Sequence, residues 1–224
     1  MLINSEEKKS PRNAYGETLV ELGAKNQNIV VLDADLSCST QTCKFHKAYP
    51  DRFFNCGIAE QDMMCTAAGL AFGGKTVFAS TFAMFATARC LDQIRNTICY
   101  SKLDVKIVAT HGGITVGEDG ASHQALEDIA YMRAIPDIKI IVPADCTEVN
   151  QVIEYAAKTK GPMYLRIPRT NLRNLFDPEK YKFNPSTGVK IQDGKDLTIV
   201  SNGETLAEVI SAAAKLREVG IEAR

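Results

Sequence analysis

Short apolar runs alternate with helically patterned segments from residue 29 to residue 167, and this alternation constrains the fold more than any other feature of the chain. Residues 29–32, 53–55, 76–80, 103–110, 138–142 and 163–167 are short and mostly apolar, and they read as strands. Ahead of the first run, Tyr15, Leu19 and Leu22 fall at helical spacing, which predicts a helix over 11–25 begun at Ser10-Pro11. Helices are also predicted over 40–48, 60–72, 82–100 and 124–134. Asp145 followed by Glu148 reads as a capping box, and Val149, Val152, Ile153 and Ala156 share one face of the helix behind it. Strand and helix in strict alternation imply an α/β chain with a doubly wound parallel sheet.

After residue 170 the pattern breaks. Residues 170–185 are polar and irregular and read as a linker. Beyond it lie apolar runs at 188–191 and 197–200, then a helix over 204–219 with Leu206, Val209, Ile210, Ala213 and Leu216 on one side. This is too little material for an independent core, so residues 188–224 are expected to be the start of a second, incomplete unit. The net charge of −1 points to neither a nucleic-acid nor a membrane-surface partner, and no apolar run is long enough to span a bilayer. A cytoplasmic protein is expected. The seven cysteines are odd in number and form no CxxC, so neither a disulfide framework nor a zinc site is indicated, and buried free thiols are expected.

Open α/β sheets bind ligands beyond the carboxyl ends of their strands, so the segments that follow the strands are where chemistry is sought. Glu60 opens the small-residue helix 60–72. It serves either as a complement to the helix dipole or as a buried acid held for proton transfer. Residues 111–123, HGGITVGEDGASH, concentrate four glycines with His111, His123, Glu118 and Asp119 in one loop after a strand. Glycines let a ligand approach the backbone, and histidines exchange protons near neutral pH. A flexible surface loop is the plain alternative. A metal site is the other, and the spacing matches no compact ligand motif, so no metal site is expected in this chain. Phe82 and Phe85 suit either a core or a platform for a flat heterocycle. Arg166 and Arg169 bracket Ile167-Pro168; a guanidinium binds phosphate well, although one at a strand end is more often a surface charge.

Taken together, LDADLS, FFNCGIAEQDM, STFAMF, LDQIR, THGGITVGEDGASHQALEDIAYMR and IPRTNL resemble, in order and spacing, the transketolase family of thiamine diphosphate enzymes. The resemblance runs from about residue 12 to residue 172 and covers that family's middle, pyrimidine-binding domain. It implies residues 1–170 as this domain, 171–187 as a linker, and 188–224 as the incomplete start of the third domain. It implies that Glu60 hydrogen-bonds N1′ of the cofactor's aminopyrimidine and so promotes loss of the thiazolium C2 proton. Phe82 and Phe85 would pack on the pyrimidine, with Asp35 beside the cofactor. His111, Asp119 and His123 would bind donor-sugar hydroxyls and assist proton transfer. Ser39 and Arg169 would bind the sugar phosphate, with Arg12 a looser candidate.

Two departures qualify the match. The family's diphosphate and magnesium site carries a GDG followed by an Asn pair, and neither occurs here. The resemblance therefore implies the C-terminal subunit of a split transketolase, active only with an N-terminal partner chain that holds the diphosphate and most of the magnesium ligands. That pair would serve the pentose phosphate pathway, and the subunit is expected to homodimerise within a heterotetramer. The second departure is Ala88, which stands where the family often has an aromatic residue near the pyrimidine. Within the superfamily the alternatives are a deoxyxylulose-phosphate synthase-like enzyme or a 2-oxo-acid dehydrogenase beta subunit. From other classes they are a noncatalytic interaction subunit and a dinucleotide-binding Rossmann protein, the last disfavoured because no GxGxxG follows a strand.

Overall fold

The structure, a computed structural model, describes residues 2–3 and 5–224. The chain starts with a short strand β1 (Lys8–Lys9) and helix α1 (Pro11–Lys25), where Ser10 Oγ accepts from Asn13 N and Pro11 occupies the first turn. Strand β2 (Ile29–Asp33) follows, then α2 (Ser37–Thr40), α3 (Cys43–Ala48), β3 (Phe53–Asn55) and α4 (Glu60–Phe72). Next come β4 (Thr76–Phe82), α5 (Ala83–Thr87), a π-helical segment Gln93–Cys99, β5 (Val105–Thr110) and α6 (Asp128–Arg133). The six-stranded sheet is completed by β6 (Lys139–Ile141), α7 (Cys146–Lys158) and β7 (Met163–Ile167), and β8 (Leu172–Arg173) and α8 (Leu206–Glu218) lie beyond.

Six strands form one parallel sheet in the order β3-β2-β4-β5-β7-β6, with helices on both faces. The period-two alternation of the strands sorts side chains between two cores. Val30, Leu32, Val77, Ala79, Ile107 and Ala109 face one side with Met63, Met64 and Ala67 of α4. Ile29, Val31, Phe78, Val108 and Leu165 face the other with Tyr15 and Leu19 of α1 and Val149, Val152 and Ile153 of α7. Helix α1 lies close to its neighbours because Gly23 has no side chain: a Cβ there would sit 2.6 Å from the Tyr49 ring. The capping box at α7 is displaced by one residue on its return arm. Asp145 Oδ1 accepts from Glu148 N at 2.8 Å, while Glu148 Oε2 accepts from Ala144 N at 2.7 Å.

Several element bounds differ from the sequence expectation for visible reasons. The predicted helix 40–48 is two short helices separated by Gln41, whose φ is 70°. The predicted helix 82–100 loses its start to β4, because Phe82 remains in register with Thr110 of β5, and its second half is a π-helix. The predicted helix 124–134 begins only at Asp128, because Ala125 is drawn into a parallel bridge with Gly112. Helix α4 is buried on one side only, leaving Gln61, Asp62, Cys65, Gly69 and Phe72 exposed. The cysteines divide accordingly: Cys90, Cys99 and Cys146 are buried, Cys43 and Cys56 half-buried, and Cys38 and Cys65 exposed, all as free thiols.

The segment after Ile167 returns across the molecule. Strand β8 pairs antiparallel with β1, and Leu175, Phe176 and Tyr181 pack with Ala144 in a small separate cluster. The apolar runs at 188–191 and 197–200 do not form strands; Leu197 makes a single parallel bridge to Ala223. Leu206, Val209, Ile210 and Ala213 of α8 line an apolar hollow with residues from these runs. Among the described residues, no helix is long and apolar enough to cross a membrane.

Candidate active site

Strand order reverses at β2, which pairs with β3 on one side and β4 on the other, so the segments leaving β2 and β4 diverge at the carboxyl edge of the sheet. Register aligns that edge: Asp33 lies opposite both Asn55 and Ser80, Phe82 opposite Thr110, and Thr110 opposite Ile167. The segments carrying Asp35, Ser39, Phe82, Phe85, His111 and Arg169 all leave the sheet there.

At the centre is an aromatic cluster. The Phe82 ring lies 3.8 Å from His111 and 5.9 Å from Phe85, both near-parallel, and His123 meets Phe85 edge-on at 5.2 Å. His111 holds a left-handed backbone, φ 60°, which is costly for this residue type and places its ring directly on Phe82. Its Nδ1 is within 2.8 Å of Thr110 Oγ1. Burial, followed by the positive charges of Arg12, Arg169 and His123, pushes its pKa down to about 3. His123 is half-buried, with Nδ1 at 2.9 Å from Ser122 Oγ.

Glu60 is only 3% exposed at the first turn of α4. One of its oxygens accepts from Arg89 Nη1 at 2.7 Å, and the Arg89 guanidinium carbon also lies 4.4 Å from the Phe85 ring centroid. The acid and the aromatic platform are thus joined by a residue that motif reading passes over.

Two guanidinium groups, those of Arg12 and Arg169, lie near His111. Arg12 Nη1 donates to Ser39 O at 2.9 Å, while its buried Nε has no partner among the described residues. Burial and then the charge of Arg169 push the Arg12 pKa down. Arg169 donates to both Glu118 oxygens and to Val116 O, clipping the glycine-rich loop to the end of β7. That same pair holds the exposed Glu118 carboxyl down to about 2. Asp119 is exposed and makes no side-chain hydrogen bond among the described residues.

Asp35 lies on the loop that leaves β2. It has φ 63° and is tied to Asn55, whose Nδ2 donates to Asp35 Oδ1 at 3.0 Å. Its segment is ordered by Asp33, a buried acid that sequence reading missed: Asp33 accepts from Leu36 N (2.6 Å), Thr40 Oγ1 (2.7 Å) and Thr42 Oγ1 (2.9 Å). Burial pushes Asp33 up to about 6 against those hydrogen bonds. A second missed acid, Asp128, lies under the loop. Arg166 Nε donates to Asp128 Oδ2 at 2.7 Å, and a Cβ on Gly112 would come within 2.7 Å of that same nitrogen. Gly112 is there because the backbone rests on a guanidinium. The pairing of Asp and Arg in DIAYMR and LRIPR is visible in the sequence only as two unconnected charges.

Neutral His111 makes stability depend on pH. The unfolded chain protonates this side chain near 6.5, whereas the folded chain does so only near 3. Between those values the unfolded state binds the additional proton, so stability falls as pH drops through the window. The unfolding free energy of His111→Gln, measured in urea, is expected to decline less than that of the parent between about pH 7 and about pH 4. An equal decline would mean that the buried imidazole is not the sensitive group.

No group of three or more His, Cys, Asp or Glu among the described residues is arranged to hold a metal ion. In sequence, the family profile of the transketolase pyrimidine-binding domain matches residues 7–174. A protein of Methanocaldococcus jannaschii described as a transketolase C-terminal section is 54% identical over 216 residues, which cover 96% of this chain and 68% of that protein. An apulose-4-phosphate transketolase subunit of Phocaeicola vulgatus is 36% identical over 213 residues, 95% of this chain and 68% of its own length. In structure, a split-gene transketolase solved as an inactive beta4 tetramer superposes with a TM-score of 0.88 at 50% identity, covering 97% of this chain and 70% of the other. The profile match over most of the chain, the relatives and the shared parallel sheet lead to one conclusion: the chain belongs to the transketolase family.

Proposed function

We propose that this chain is the C-terminal, pyrimidine-binding subunit of a two-subunit transketolase, which moves a two-carbon ketol unit from a ketose phosphate to an aldose phosphate. The observation that carries the reading is the convergence of buried Glu60 with the Phe82–Phe85 rings and both loop histidines at one edge of the sheet. A flat aminopyrimidine needs an aromatic face and an acid at its N1′ edge, and these residues supply both. The buried Thr81 hydroxyl has no partner among the described residues. When bound, thiamine diphosphate supplies the electron sink for breaking the carbon–carbon bond beside a ketose carbonyl.

The chain's own residues then have these roles. Glu60 exchanges a proton with the pyrimidine N1′ edge. Phe82 and Phe85 hold the ring, and Asp35 borders it. His111 is neutral, and with Nδ1 engaged by Thr110 it offers Nε2 to a donor-sugar hydroxyl. His123 and Asp119 complete the hydroxyl contacts. Arg169, Arg12 and Ser39 receive the phosphate, whose charge the neighbouring guanidinium groups favour. Residues 1–170 form the pyrimidine-binding domain, 171–187 a linker and 188–224 the start of a third domain. The words "section", "subunit" and "split gene" in the names of the relatives support a partner chain, which holds the diphosphate and magnesium. The chain homodimerises within a heterotetramer.

The test is co-purification with a diphosphate-binding partner, followed by assay of ketol transfer with thiamine diphosphate and magnesium. Turnover is expected with both chains and not with either alone. An assembled complex that binds cofactor without transferring ketol units would point to another thiamine diphosphate reaction. One that binds no cofactor would make the chain an interaction subunit.

A further inference from the structure

Arg89 stands on the two groups that the proposed cofactor ring would use. Its Nη1 donates to the buried Glu60 carboxylate at 2.7 Å, and its guanidinium carbon lies 4.4 Å from the Phe85 ring centroid. A guanidinium is flat and delocalised, with N–H donors at its edge. In shape and polarity it copies an aminopyrimidine that stacks on a phenyl face and hydrogen-bonds a carboxyl group. The two partners differ in mobility. Glu60 is buried at the head of α4, whereas the Arg89 side chain is 46% exposed, and its backbone carbonyl is held by Gln61 Nε2 at 2.8 Å. The carboxylate is therefore fixed, and the long arginine side chain is the part free to leave.

We infer that Arg89 competes with the pyrimidine ring for Glu60 and Phe85 and thereby sets the affinity of the site for its cofactor. The inference rests on the proposed function. Binding breaks the Arg89–Glu60 ion pair, and the guanidinium swings toward solvent or the partner chain. Water takes up the half-exposed guanidinium when it leaves, and the ring edge replaces it on the buried carboxylate, which is therefore not left unpaired. Ala88 contributes to the same arrangement, because a small neighbour leaves Arg89 room on the Phe85 face.

The experiment is calorimetric titration of thiamine diphosphate, with magnesium, into the complex of this chain with its diphosphate-binding partner. Arg89→Met keeps an apolar stem against Phe85 and removes the cation. It is expected to bind the cofactor about tenfold more tightly than the parent, with Arg89→Lys in between. The same change made on a Glu60→Gln background should alter affinity little, because the competing ion pair is already absent; a purely structural role for Arg89 would not produce that dependence. A crystal structure of the loaded complex should show Arg89 out of hydrogen-bonding distance of Glu60. Unchanged or weaker binding by Arg89→Met overturns the competition while leaving the proposed function intact. No cofactor binding by the parent complex overturns both.

Discussion

Glu60→Gln is expected to abolish most ketol transfer in the assembled enzyme, by at least about a hundredfold in kcat, while leaving the subunits associated. The size of the effect follows from what the substitution removes. Glutamine has the same shape, so it can occupy the first turn of α4, where its amide oxygen can accept from Arg89 but forms no ion pair with it. It cannot give or take a proton. A group buried to 3% exposure exchanges protons with what it touches and not with bulk water, so no solvent species replaces it. The measurement is steady-state ketol transfer together with size-exclusion chromatography of the complex. A loss of both activity and assembly would assign Glu60 to the interface, and unchanged turnover would remove it from cofactor activation.

The strands were legible because their apolar residues alternate without interruption. Val30 and Leu32 go to one core and Val31 to the other, as a period of two requires. The start of α1 was legible in Ser10-Pro11 and that of α4 in the small-residue run opened by Glu60, because caps and helix composition are local. What failed was non-local. Phe82 is extended through its register with β5, and Ala125 is extended through its bridge to Gly112, so one predicted helix loses its first residue and another its first turn to partners distant in sequence. Arg89 and Glu60 are 29 residues apart, and Asp128 and Arg166 are 38 apart. No spacing rule pairs such charges; only the closed sheet brings them together. The runs after residue 188 have strand composition without strand neighbours, and composition alone does not build a ladder.

The second large effect concerns the support beneath the glycine-rich loop. Asp128→Ala should destabilise the fold by about 3–5 kcal/mol, because it leaves a buried guanidinium without its counterion. Asp128 is fully buried, and its Oδ2 accepts from both Arg166 Nε at 2.7 Å and Tyr164 OH at 2.6 Å. With the carboxylate gone, among the described residues the Arg166 side chain, 13% exposed, keeps one weak bond, to Ala125 O at 3.3 Å, and the Tyr164 hydroxyl keeps none. In the parent, burial and then the Asp128 charge push the Tyr164 pKa up. The remaining relief is for Arg166 to move toward water. That movement would carry away the surface on which Gly112 rests, and His111 with it, so sugar binding should weaken along with stability. The double variant Asp128→Ala, Arg166→Met removes both charges and should recover much of the stability, since an apolar replacement of a buried pair is often neutral. Urea denaturation of the three proteins at constant m-value measures this directly. A single variant as stable as its parent would show that the Arg166 charge is neutralised by another group, and that the loop does not depend on Asp128.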